Sequence, residues 1–145
     1  MIVVAIIAVL AVLALPSFLR ARQSSQNAKF VNALRVATSA IESYATEYRG
    51  YPADTNRGVV PPGMATYLDA TLNWTGRTPI GGQWDWDFNV FGVRAAISVV
   101  NPTAGGQQLL DIDASYDDGD LGGGRFQSLA GAGSGNARYS DIIER

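Results

Sequence analysis

The chain has 145 residues, room for one small domain, with 47% apolar residues, 17% charged residues and a formal net charge of −2. It contains no Cys and no His. Disulfide frameworks, thiolate or imidazole metal sites, Cys nucleophiles and triads with a His base are therefore excluded, and the chain reads as a non-enzyme.

In chain order, residues 1–19 come first. Met1 to Leu19 carry no charge before Arg20. At roughly 1.5 Å per residue, such a helix nearly spans a hydrocarbon core of about 30 Å. No basic residue precedes the run and no A-x-A exit follows it, so a cleaved signal peptide fits poorly. Pro16 removes one helical hydrogen bond, and the pattern predicts a kink there rather than an end. Val3, Ala5, Ala8, Ala11 and Ala14 are small or β-branched and let neighbouring helices approach closely.

Residues 20–50 continue the helix as an amphipathic half. Phe30, Val31, Leu34, Ala37, Ile41, Tyr44, Ala45 and Tyr48 recur at steps of three and four. Asn32, Arg35, Ser39, Glu42, Ser43, Glu47 and Arg49 fill the other face. Gly50-Tyr51-Pro52 supplies the stop, with Gly just past the end. A helix of about 48 residues would be about 70 Å long. Its apolar stripe has only residues 51–145 to pack against. Charge divides along the same line: residues 1–50 hold five basic and two acidic groups (+3), residues 51–145 six and eleven (−5). Only the stalk favours anionic lipid, and the head has no basic patch for nucleic acid.

The run IVVAIIAVLAVLALPSFLRARQSSQNAKFVNALRVATSAIESYATEYRGYP closely resembles the N-terminal segment of type IV pilins and type II secretion pseudopilins. The shared pattern is an apolar run ending in Ala-Leu-Pro, a short polar stretch with Arg, and an amphipathic helix closed by a Tyr-Pro turn. It covers residues 1–52. The resemblance implies a structural subunit of a pilus or pseudopilus filament, held as a single-pass protein in a bacterial inner membrane with its head extracytoplasmic. Its partners would be copies of itself, other pilins or pseudopilins, the inner-membrane assembly platform and membrane lipid. Aligned on Pro16, six residues of the family's mature start, including its Glu, and the basic leader are missing. A start assigned too late, or a trimmed chain, is the expected explanation; a chain that began at Met1 could not be processed and N-methylated in the family manner. By the positive-inside rule Arg20, Arg22 and Lys29 alone would draw the head into the cytoplasm, and the family's orientation, head outside, depends on the missing basic leader. A membrane-anchored extracytoplasmic binding module is the alternative.

In the head, 53–82 is rich in breakers such as Pro61-Pro62-Gly63 and Pro79-Ile80-Gly81-Gly82, with a short helix predicted over Met64–Leu72. Gln83 to Asn89 alternates Trp84, Trp86 and Phe88 with Asp85 and Asp87, predicting a strand with one apolar and one acidic face. Val93–Val100 reads as its antiparallel partner, and Leu109–Ala114 and Arg138–Ile143 as further strands. The predicted class is α+β: a long N-terminal helix, half apolar and half amphipathic, packed against a small antiparallel sheet in a pilin-like layout. Trp84, Trp86 and Phe88 are expected to pack on Leu34, Ile41 and Tyr44, with an exposed glycan platform as the alternative. Asp85 and Asp87, about 7 Å apart on one strand face, are paired carboxylates of the kind that an anchored hydrolase could use.

Residues 111–120 place five carboxylates in ten positions, hard oxygen ligands of the kind calcium takes. The spacing fails the EF-hand pattern, and a solvated acidic turn is the plain alternative. A calcium site in a late loop of the head is what resemblance to the major pseudopilins implies. Asp113, Asp117, Asp118 and Asp120 are the candidate ligands. Gly122–Gly135, with six Gly in fourteen residues, reads as a surface loop inside a longer loop region 113–137.

Overall fold

A computed structural model describes residues 1–68, 72–130 and 136–145, less the side chains of residues 13, 14 and 130. Helix α1 runs from Ile2 to Tyr48, 47 residues, with Pro16 inside it rather than at its end. It ends at Arg49, whose φ of 55° is left-handed. The turn expected of Gly50 is thus made one residue earlier, by a side chain that tolerates it at some cost.

A four-residue helix follows, α2 (Ala65–Leu68). It is shorter than the predicted Met64–Leu72, of which residues 69–71 lie outside the described residues and Leu72 is not helical. Then come β1 (Gln83–Val90), β2 (Val93–Val100), α3 (Gly106–Tyr116), β3 (Phe126–Ala130) and β4 (Arg138–Glu144). The sheet is antiparallel throughout, in the order β1-β2-β4-β3. The β1–β2 turn is Phe91-Gly92, both with positive φ (52° and 78°), as a two-residue hairpin requires. The outer edge of β1 is covered: Gly58 N donates to Trp84 O at 2.7 Å and Phe88 N to Asp54 Oδ1 at 2.9 Å.

Two predicted elements are corrected. Leu109–Ala114 belongs to helix α3 rather than to a strand. Leu110-Asp111-Ile112-Asp113 mimics alternation, but the buried residues are Leu109, Ile112 and Asp113, at helical spacing against α1. The 113–137 region is likewise not all loop. It holds the end of α3 and strand β3, a short run of Phe-Gln-Ser-Leu-Ala hidden between glycines. Gly131, Gly133 and Gly135 fall outside the described residues.

The helix lies on one face of the sheet. Trp84, Trp86 and Phe88 sit opposite Val99, Ile97 and Ala95, and their common face turns to α1. Phe30 stacks on Trp84 with ring centroids 5.4 Å apart, Trp74 stacks on the same indole at 5.9 Å, and Phe126 meets Phe30 edge-on. Leu34 and Ile41 are fully buried in this cluster, whereas Tyr44 and Phe88 pack half-buried at its margin. Tyr48, on the predicted stripe, is exposed and stacks on Tyr44.

Candidate functional site

The N-terminal half of α1 is exposed on every side. Among the described side chains of residues 1–19 none is buried: Ile2, Val3, Val4, Ile6 and Ile7 each show more than half of their surface to solvent. Val3, Ala5, Ala8, Ala11 and Pro16 share this surface; the side chain of Ala14 lies outside the described residues. The helix is long and apolar enough to cross a membrane. Burying a large apolar side chain is worth roughly 1.5–3 kcal/mol, so this surface strongly favours lipid or another protein over water.

In the head, three of the four candidate carboxylates converge. Asp113, Asp117 and Asp118 each offer an oxygen within 4.8 Å of the others. Asp113 comes from the last turn of α3 and Asp117 caps its end. The negative end of the α3 dipole thus points into the cluster and favours a cation. Asp117 Oδ2 accepts from the backbone N–H groups of Arg125 and Phe126, and Asp118 Oδ1 from Asp120 N at 2.8 Å. Asp120 is not part of this group: its Oδ1 accepts from Gly122 N at 2.9 Å and shapes the turn. Gly124, at φ 65°, closes the cradle, and a Cβ there would run into the Asp117 and Asp118 carboxylates.

Asp113 is the unusual member. It is 0% exposed, and neither carboxylate oxygen has a hydrogen-bond partner among the described residues. Burial, then the charges of Asp118 and Asp117, push its pKa up to about 6, opposed by the Gly119 N–H, which is near the carboxylate but outside hydrogen-bonding geometry. A buried carboxylate without a partner is costly. Three carboxylates around two orphaned oxygens fit a hard divalent cation, with Asp113, Asp117 and Asp118 to hold it.

A second polar centre had no signature in the sequence. Asp141 of β4 is fully buried and turns to α1. It accepts from Thr38 Oγ1 at 2.7 Å, Tyr116 OH at 2.9 Å and Arg125 Nε at 2.6 Å. One carboxylate so joins α1, α3, β4 and the residue before β3. Burial and the Asp141 charge raise the pKa of Tyr116, which keeps it a donor.

Asp85 and Asp87 point to the other side of the sheet, but not to water. They are 4% and 2% exposed and are held by Arg138 of β4. Arg138 lies beneath the Phe91 ring, its guanidinium carbon 4.3 Å from the centroid. The carboxylate pair that a hydrolase would need is thus enclosed. Trp84 and Trp86, at 1% and 0% exposure, are core residues and not a glycan platform.

The chain matches no protein-family profile, no curated protein and no solved structure.

Proposed function

We propose that the chain is a structural subunit of a pilus or pseudopilus filament, held in a bacterial inner membrane until assembly and belonging to a type II secretion or type IV pilus system. The observation that carries this reading is the division of α1. One continuous helix buries its second half in the head and leaves its first half apolar and exposed on all sides. A helix that served the head alone would not extend some 28 residues beyond Phe30, the first buried one among the described residues. One that served the membrane alone would not need a rigid join to a folded head. Lipid satisfies the exposed half before assembly, and the same half of neighbouring copies satisfies it afterwards, with Ala5, Ala8 and Ala11 permitting close approach. Partners are then other copies, related subunits and an inner-membrane platform, with the head extracytoplasmic.

The test is electron microscopy of the full chain, purified from membranes in detergent, after the detergent is removed. Filaments of uniform width support the reading. Discrete particles in lipid, with no filaments from the native assembly system either, favour a membrane-anchored binding module.

Calcium is the proposed ligand of the Asp113, Asp117 and Asp118 cluster, supported by the two orphaned oxygens of Asp113. It would neutralise the site and brace α3 against the turn that leads into β3. Replacing Asp117 and Asp118 together with Ala should lower the melting temperature in calcium but much less in chelator. Equal shifts in both conditions would remove calcium from the account.

A further inference from the structure

On the outer face of the sheet, two buried carboxylates share a single cation. Arg138 Nη2 lies 2.8 Å from Asp85 Oδ2, and Arg138 Nη1 lies 2.6 and 2.7 Å from the two oxygens of Asp87. The side chains of Arg138, Asp85 and Asp87 are 12%, 5% and 3% exposed. Ser98 of β2 donates its hydroxyl to Asp87 Oδ2 and is 2.6 Å from Ser140 Oγ of β4. With both acids ionised, the cluster carries one uncompensated negative charge. A further charge that acts on both acids, Asp54 in the segment that covers β1, is negative too. Dry, uncompensated charge of this kind costs several kcal/mol unless it is neutralised.

The two acids are not equivalent. Both oxygens of Asp87 accept hydrogen bonds. Asp85 uses only Oδ2, and its Oδ1 is buried with no partner among the described residues. A proton on Oδ1 removes the excess charge and breaks no existing bond. We propose that Asp85 and Asp87 form a proton-binding site beneath Arg138, holding one proton between them on Asp85 Oδ1, so that the head tightens as its surroundings become acidic. Phe91 covers the guanidinium, and both carboxylates are buried.

The electrostatics agree. Burial, then the Asp87 charge, push the Asp85 pKa up to about 6, against the opposing pull of Arg138. Burial raises Asp87 as well, while Ser98 and Arg138 pull it back. The folded chain then holds a proton that the unfolded chain releases near 3.8. Stability from this site is absent above about pH 7 and grows as the pH falls through 6 toward 4. Other acids whose folded pKa is depressed act in the opposite sense, so the informative quantity is a difference between two chains.

The experiment compares the full chain in detergent with Asp85→Asn, in chelator, by denaturant unfolding between pH 7.5 and 4.5. Asn keeps the shape and lacks the titration. The ratio of the wild-type to the variant folding constant should rise on the order of tenfold across that range. Asp113 titrates in both chains and cancels. A ratio constant with pH overturns the proposal. Carboxyl carbon NMR of the wild-type chain decides independently if the variant does not fold: an Asp85 carbon titrating near 6 supports the site, and one titrating near 4 overturns it. Neither readout depends on filament formation.

Discussion

Residue by residue, the head depends on a few backbone positions held at positive φ. Gly124 and Gly92 both have positive φ, 65° and 78°. They differ in what a methyl group would meet. At Gly92 nothing lies within 4 Å, so Gly92→Ala costs only the left-handed strain, about 1 kcal/mol. At Gly124 the same methyl also collides with the carboxylates of Asp117 and Asp118. Gly124→Ala should therefore destabilise by about 2–4 kcal/mol, at least twice the cost at Gly92, by urea unfolding. Equal costs at the two positions would mean that the cradle does not form. Asp141 makes a different demand. It is fully buried and receives three donors. Asp141→Ala leaves Thr38 and Tyr116 unpaired and Arg125, which is partly exposed, without its anion. A loss of about 3 kcal/mol is expected. A loss under 1 kcal/mol would show that water replaces the carboxylate.

Among the elements, legibility followed periodicity. The Trp-Asp-Trp-Asp-Phe strand and its partner Val93–Val100 stood out, because alternating large apolar residues have no other use at that spacing. The stalk stood out for the same reason at period 3.6. Strand β3 was hidden, since five residues between glycines carry too little pattern and its place is set by pairing with β4. Helix α3 looks like a strand in sequence because Leu110-Asp111-Ile112-Asp113 alternates; the burial of Asp113, which breaks that alternation, is a tertiary fact. Of the acidic site, the sequence showed the concentration of carboxylates but not which of them meet. Asp120 bonds its own turn instead, a choice settled by loop geometry. Asp141 was out of reach because its partners stand 103, 25 and 16 residues away. At this scale the proposed filament makes its own demand on α1. If small residues permit close packing of its first half, Ala8→Phe with Ala11→Phe should abolish filaments and leave membrane retention intact, because the change adds apolar surface. Filaments of normal width from that double variant would remove the small-residue stripe from the assembly interface.

For the whole molecule, the decisive feature is that one helix belongs to two environments. Among the described residues, the buried ones of α1 begin at Phe30, and the core lies within residues 30–145: the Trp74–Trp84–Phe30 stack, the β1–β2 hairpin, α3 and the Asp141 hub. No described side chain of residues 1–19 is buried against the head. The apolar half therefore adds little to the stability of the fold and much to its insolubility. Removing residues 1–19 should give a chain that needs no detergent, keeps its melting temperature within a few degrees of the full chain in mild detergent, and sediments as a monomer. The fraying of one exposed helical end costs little, because helices shorter than about 15 residues gain most of their stability from packing. A truncated chain that melts far earlier would mean that the apolar half braces the head directly. A truncated chain that still polymerises would mean that head surfaces, and not the exposed half of α1, hold copies together.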